Sequence, residues 1–139
     1  LREKEIPHCI LISMLSSLAT IYFETAQSNR MMSRSEAIYK QLTKLIMKHF
    51  SSERKVAFYA KLLNITPQHL SVIVKQTSGK TVSDVIAEIV IMDAKAKLKS
   101  TNMTIQEISD SLNFPNMSFF GKYFKRYVKM SPNEYRKIE

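Results

Sequence analysis

The sequence predicts an all-α protein in which two helix-turn-helix units are joined by a long helix. Only two glycines and four prolines occur among its 139 residues, so long stretches are free to form helices. Apolar residues recur at helical intervals along most of the chain, and no alternating run of branched residues indicates a strand. Hydrophobic residues make up 45% of the composition, which is enough for a buried core.

An amphipathic N-terminal helix is predicted over about residues 8–28. Its apolar face consists of Leu11, Met14, Leu15, Leu18, Ile21, Tyr22 and Ala26. Residues 29–33 are expected to form a linker, and residues 35–50 to form the next helix. The side chains expected to face inward from that helix are those of Ile38, Leu42, Leu45, Ile46 and Phe50.

The first helix-turn-helix unit is predicted over about residues 53–79. Its turn falls at Asn64, after which Thr66 is expected to cap the second helix with Pro67 in its first position. Gly79 is expected to end that helix in the left-handed conformation. The residues expected to face inward from the first helix are Val56, Ala57, Ala60 and Leu63.

The linker helix is predicted over about residues 82–99, with Thr81 as its cap. Its inward positions are Val85, Ile86, Ile89, Val90, Ala94 and Leu98. Because it separates the two helix-turn-helix units in sequence, its length sets how far apart they lie.

The second helix-turn-helix unit is predicted over about residues 104–128. Thr104 and Glu107 have the spacing of a capping box, and Asn116 is expected to cap the long helix that follows. A last short helix is expected to begin at Ser131. The core candidates of this unit are Ile105, Ile108, Leu112, Phe119, Phe120, Phe124 and Tyr127.

The net charge of +9 lies entirely within residues 34–139. Residues 1–33 carry three basic and three acidic side chains and are therefore neutral. A basic domain beside a neutral segment favours a polyanionic partner, although a solvated basic surface explains the charge equally well. We therefore treat residues 1–33 and residues 34–139 as separate parts of the chain.

The sequence contains little that suggests catalysis or metal binding. Cys9 is the only cysteine, which excludes an internal disulfide and a thiolate cluster, and its apolar surroundings predict a buried thiol. The three histidines share no ligand spacing, so neither a metal nor a cofactor is expected. No nucleophile–base pairing or phosphate loop is present, so an enzyme is the least expected class.

No targeting or membrane segment is predicted. There is no signal peptide, and the apolar run from Cys9 to Leu18 is too short to span a bilayer. The chain begins with Leu1 rather than Met, from which we expect a fragment whose missing part lies upstream.

A series of short motifs runs from the first helix-turn-helix unit to the C-terminal region. They are Tyr59-Ala60-Lys61-Leu62-Leu63, Thr66-Pro67-Gln68-His69-Leu70-Ser71, Ser78-Gly79-Lys80-Thr81, Ala94-Lys95, Ile105 with Ile108, Leu112-Asn113-Phe114, Ser118-Phe119-Phe120-Gly121-Lys122-Tyr123-Phe124-Lys125-Arg126, Met130-Ser131-Pro132 and Tyr135-Arg136. In these motifs and their spacing, residues 34–138 resemble the AraC/XylS family of bacterial transcription regulators. The resemblance implies two homeodomain-like helix-turn-helix subdomains joined by a linker helix, together forming a DNA-binding domain.

Two positions depart from the family pattern. Members usually carry arginine near Val90, so a valine there suggests different packing or lost polar contacts between the subdomains. They also usually carry glycine where Lys129 stands, so the left-handed turn expected there is in doubt or strained.

The resemblance also bears on residues 1–33. Members commonly have a sensor or dimerisation domain before the DNA-binding domain, and residues 1–33 are similar to its last helix and linker. Residues 8–28 are therefore candidates for a homodimer contact, and packing within one chain is the alternative.

The first recognition helix has a polar face formed by Gln68, Ser71, Val72 and Lys75 at helical spacing. Gln68 suits a bidentate contact to adenine, and Val72 suits a thymine methyl group unless it belongs to the core. Lys75 is better placed for phosphate. His69 is expected to be a packing residue or a neighbour of phosphate. The residues expected to pack inward are Leu70, Ile73 and Val74.

The second recognition helix has more positive charge. Its outward candidates are Asn116, Met117, Ser118, Gly121, Lys122, Lys125 and Arg126. Lys122 is expected to reach guanine, Ser118 a phosphate or base edge, and Lys125 with Arg126 the DNA backbone. Gly121 permits close approach to DNA, with close helix packing as its alternative.

The helix starts at Thr81 and Thr104 offer free N–H groups to phosphates, and Lys80 strengthens the first. An ordinary capping role is equally open for each threonine.

The leading hypothesis is a sequence-specific transcription regulator that places two recognition helices in successive major-groove segments of promoter DNA. A linker of 18 residues spans about 27 Å, which suits grooves about 34 Å apart. RNA polymerase is a further expected partner, and the bacterial cytoplasm at the nucleoid is the expected location. The alternatives are a non-specific architectural DNA-binding protein and a helical protein-interaction module.

Overall fold

The computed structural model of the protein describes residues 6–139, and the side chains within residues 12–24 and 34–139. In this part of the chain all regular structure is helical, which confirms the all-α fold class. The helices are α1 (Ile6–His49), α2 (Val56–Leu62), α3 (Pro67–Ser78), α4 (Val82–Ser100), α5 (Ile105–Ser111), α6 (Met117–Val128) and α7 (Pro132–Lys137).

Contacts divide the chain into two units, and the described part of the first is residues 6–37. Every described side chain between residues 12 and 24 is exposed. The large apolar ones are 58–74% exposed, namely Ile12, Met14, Leu15, Leu18, Ile21, Tyr22 and Phe23. Cys9, Leu11 and Ala26 lie outside the described side chains, so their predicted packing stays a prediction.

The linker predicted at residues 29–33 is wrong, because α1 continues as a helix through this segment. The sequence there contains no glycine or proline, and its arginine and two methionines favour the helical backbone. The helix predicted over residues 35–50 is therefore the C-terminal end of α1. Leu42 and Ile46 on that end are fully buried, as expected.

The second unit, residues 38–139, has one apolar core to which α1 to α6 all contribute buried side chains. Its centre is α4, which packs against α3, α5, α6 and α7. The buried residues of α4 are Val82, Val85, Ile86, Ala87, Val90, Ile91, Ala94 and Leu98. Since α3 belongs to one helix-turn-helix unit and α5 and α6 to the other, α4 is the common support of both.

The first helix-turn-helix unit consists of α2 and α3. Asn64 has a φ of 56°, and the Thr66 hydroxyl accepts a hydrogen bond from the His69 N–H at 3.1 Å. Helix α3 ends at Gly79, whose φ of 74° confirms the left-handed C-cap. One expected position is wrong: Ala57 is exposed.

Tyr59 and Ala60 are the buried residues of α2, and Tyr59 is the larger of the two. It is fully buried, and its hydroxyl donates to the carbonyl oxygen of Glu53 at 2.7 Å. This bond provides the partner that a buried phenol requires. Burial raises the pKa of Tyr59 to about 12.

The second helix-turn-helix unit, α5 and α6, repeats this turn geometry. Asn113 also has a φ of 56°, and the Asn116 side chain accepts a hydrogen bond from the Phe119 N–H at 3.0 Å. Phe120 and Phe124 are fully buried as expected, but Phe119 is 56% exposed, so its assignment to the core is wrong. Residues four apart share a helix face, and Phe119 lies about 100° away from that shared face.

Helix α6 ends at Lys129, whose φ of 71° is left-handed. The turn expected here is therefore present without the usual glycine. A residue with a Cβ atom is destabilised in this conformation by roughly 1–2 kcal/mol.

We expect Lys129→Gly to raise the free energy of unfolding by about 1 kcal/mol, because relief of this strain exceeds the extra flexibility that glycine gives the unfolded chain. Urea unfolding measures the change. Lys129→Ala removes the same charge but keeps Cβ, and it should show no such gain. Equal gains in both variants would assign the effect to charge instead.

Candidate nucleic-acid interface

Helix α3 exposes the polar face that was predicted for it. Gln68, Ser71, Val72 and Lys75 are all exposed, while Leu70, Ile73 and Val74 are buried on the opposite side. Val72 is 55% exposed, which rules out the alternative that it belongs to the core.

Two of these four side chains already have partners on the protein. The Ser71 hydroxyl donates to the carbonyl oxygen of Pro67 at 2.9 Å, and Lys75 Nζ donates to the carbonyl oxygen of Gly79 at 3.0 Å. Both bonds are local and solvent-exposed, so a stronger acceptor such as phosphate can replace them. The amide of Gln68 and the branched side chain of Val72 are directed into solvent.

Helix α6 exposes a longer and more basic face. The side chains of Asn116, Met117, Ser118, Lys122, Lys125 and Arg126 are exposed, and Gly121 is half-buried. Among the described side chains, the ion pairs are Lys80–Glu88 and Lys97–Asp93, so no carboxylate neutralises the cations of α6. Asn116 is committed to the helix cap, which limits its freedom to contact a base.

Phe119 is an interface candidate that the sequence prediction missed. It lies in the first turn of α6, where Met117 is also exposed, at 47%. The signal was available in the four-residue spacing of Phe120 and Phe124, which fixes the buried face and leaves Phe119 outside it.

Gly121 lies at an open position on the surface of α6. A Cβ atom added there would meet no other atom within 4 Å. The alternative that glycine is needed for close helix packing is therefore not supported.

Thr81 and Thr104, the candidates at the helix starts, both make capping hydrogen bonds. The Thr81 and Thr104 hydroxyls accept from the N–H groups of Asp84 and Glu107, each at 3.1 Å. These acidic residues lie in the first turns of α4 and α5, where they reduce the attraction of either helix start for phosphate. The geometry therefore favours capping at both threonines.

Lys80 is paired with the Glu88 carboxylate, which the sequence prediction did not identify as its partner. The hydrogen bond that Lys80 donates to this carboxylate raises the pKa of Lys80. Because both side chains are about half exposed, the pair is open to competition from another anion.

The described residues contain no group of histidine, cysteine or acidic side chains that could hold a metal ion. None of the described helices is long and apolar enough to cross a membrane.

Two exposed helices, each the second helix of a helix-turn-helix unit and both supported by α4, define a DNA-binding domain of the double helix-turn-helix class. Residues 59–138 match a family model described as a helix-turn-helix domain. This chain belongs to that family, the AraC-type transcription regulators. The expected resemblance is thereby confirmed.

Individual relatives agree with this assignment. The Msm operon regulatory protein of Streptococcus mutans is 29% identical over 128 residues, which cover 92% of this chain and 44% of that protein. The chain therefore spans less than half the length of this curated relative. By its name this relative regulates an operon.

Solved structures show the same fold. The C-terminal domain of AraT, a response regulator from Geobacillus stearothermophilus, has a TM-score of 0.68 and 32% identity over 72% of this chain and 84% of that one. The DNA-binding domain of AdpA, a global transcriptional factor solved in complex with a target DNA, has a TM-score of 0.63 and 14% identity over 70% and 87%. At that identity the second likeness shows the fold alone.

Gly121→Ala should separate stability from binding. We expect the free energy of unfolding to rise by roughly 0.5–1 kcal/mol, since alanine is the better helix former and meets no neighbour. Binding to a preferred duplex should weaken by about 1–3 kcal/mol, the cost of one lost base contact. Thermal unfolding and fluorescence anisotropy report the two quantities, and unchanged affinity would place Gly121 outside the interface.

Proposed function

We propose that this chain binds promoter DNA sequence-specifically by placing α3 and α6 in two successive segments of the major groove. The observation that carries the proposal is the exposure of both recognition faces on helices that pack against one common helix, α4. Helix α4 has 19 residues and is therefore about 28 Å long. With the widths of the flanking helices, this length suits a separation of about 34 Å, one turn of DNA.

In this proposal each of the two helices makes both base contacts and phosphate contacts. On α3, Gln68 reads adenine and Val72 contacts a thymine methyl group, while Lys75 holds phosphate. On α6, Lys122 reads guanine, and Lys125 with Arg126 holds the backbone. The α6 face has three unneutralised cations against one on α3, so α6 contributes more of the electrostatic affinity.

The remaining candidate residues make supporting contacts with the DNA. Ser71 and Ser118 donate to phosphate or to a base edge, and Met117 lies against the groove wall. Asn116 and Gly121 allow the start of α6 to approach closely. Lys80 contributes a phosphate contact that replaces its exposed pair with Glu88, whereas Thr81 and Thr104 cap their helices.

Two further partners belong to the proposal. The promoter-bound protein contacts RNA polymerase, and residues 8–28 form the contact between two copies of the chain. The exposed apolar side chains of residues 12–24 support the second inference, because surfaces of this kind are normally covered in an assembled protein. A promoter target also places the protein in the bacterial cytoplasm, at the nucleoid.

In vitro selection of bound duplexes from random sequence tests the proposal directly. We expect one sequence with two half-sites about one turn apart to be enriched. Gln68→Ala and Lys122→Ala should each relax base preference at their own positions, at a cost of about 1–3 kcal/mol on the selected site. Enrichment of no sequence would contradict the proposal and leave architectural binding as the reading.

The salt dependence of affinity tests the phosphate contacts separately. Lys125→Ala should weaken binding to all sequences alike and reduce the slope of log K against log [salt] by about 0.9. Lys44→Ala removes an equal charge from an exposed position on α1, outside both helix-turn-helix units, and should change the slope much less. Equal changes in both variants would show that only net charge matters.

A further inference from the structure

Arg54 lies between α1 and α2, at the start of the first helix-turn-helix unit, yet its side chain contacts the second unit. One guanidinium nitrogen donates to the carbonyl oxygen of Leu112, and the other donates to that of Asn113 at 2.9 Å. The guanidinium carbon also lies 3.9 Å from the centroid of the Phe114 ring. A single side chain thus holds three consecutive residues of the turn between α5 and α6.

The second unit returns a contact to the same segment. The Asn113 side-chain amide donates to the carbonyl oxygen of Ser52 at 3.0 Å. We call these contacts between residues 52–54 and residues 112–114 the Arg54 latch. It joins positions 58 to 61 residues apart in sequence, so it restrains the tertiary structure and not only the local turn.

The chemistry of the latch is specific to arginine. The carbonyl groups of Leu112 and Asn113 lie at the C-terminal end of α5, where they have no partners within the helix and where a cation is favoured. A planar guanidinium can donate to both carbonyls and stack on an aromatic ring at once, whereas a lysine ammonium cannot. Partial burial lowers the pKa of Arg54, and arginine stays charged in proteins.

The turn held by the latch is directly connected to the second recognition helix. The Phe114 ring centroid lies 5.3 Å from that of Phe120 and 5.2 Å from that of Tyr123, both on α6. Movement of Phe114 would therefore displace Phe120 and Tyr123, and with them α6. In consequence the latch connects the start of the first unit to the orientation of α6.

We propose that Arg54 is a positioning residue that fixes the angle between the two helix-turn-helix units and so sets the half-site spacing that the protein accepts on DNA. Helix α4 joins the units through apolar packing, which is not directional. The latch supplies a second attachment, and two attachments define one orientation. This inference rests on the proposed function, since spacing has meaning only when α3 and α6 both enter DNA.

The experiment compares Arg54→Lys with Lys55→Ala in the full chain. Arg54→Lys keeps the charge but loses the paired donors and the stacking, while Lys55 is an exposed neighbour whose side chain does not cap α2. Affinity is measured for the selected operator, for the operator with one base pair inserted between its half-sites, and for DNA with the α6 half-site alone. One inserted base pair rotates one half-site by about 34° relative to the other.

Wild-type protein and Lys55→Ala should lose about tenfold in affinity on the insertion, comparable with the cost of one mismatched base pair. Arg54→Lys should lose about threefold or less on the insertion while keeping its affinity for the single half-site. If Arg54→Lys loses as much affinity on the insertion as wild-type protein does, the proposal is wrong. An equal loss on every DNA, which is what simple destabilisation produces, would also overturn it.

A second measurement needs no DNA. Spin labels at Lys61 on α2 and Gln106 on α5, both exposed, report the distance between the units when Cys9 is replaced by serine. The distance distribution should broaden in Arg54→Lys and stay narrow in Lys55→Ala; an unbroadened distribution contradicts the latch. If wild-type protein selects no operator, the proposed function fails, and the spin-label result still decides whether the latch orders the two units.

Discussion

Helix α4 carries buried side chains around much of its circumference, because helices of both helix-turn-helix units pack against it. Such a helix is unstable alone in water, since its apolar surface needs partners on more than one side. Each unit is too small to supply a complete core. Because both units pack against the buried residues of α4, the two units fold together. The same helix supports both recognition helices.

The buried environment of α4 also explains the departure at Val90. This side chain is fully buried in the apolar core, where a charged residue would require paired partners. The expectation of different packing at this position is consistent with that environment. A polar connection between the units is nevertheless present in the contacts of Arg54.

Features with local causes could be predicted from the sequence. Caps such as Thr66, Thr81 and Asn116 were found because a side-chain oxygen bonds to an N–H three residues later, whatever the tertiary structure. The Arg54 contacts could not be predicted, since they join segments about 60 residues apart. The exposure of Phe119 could have been predicted, because the four-residue spacing of Phe120 and Phe124 places these two on one buried face and Phe119 outside it.

The apolar surface of residues 12–24 has an energetic consequence. Covering several large side chains that are now more than half exposed would release free energy on the order of 10 kcal/mol before the costs of association. That is comparable with the whole stability of a small domain. Anything that covers this helix only in the folded chain is linked to folding by mass action, so the apparent melting temperature should depend on the concentration of the covering surface.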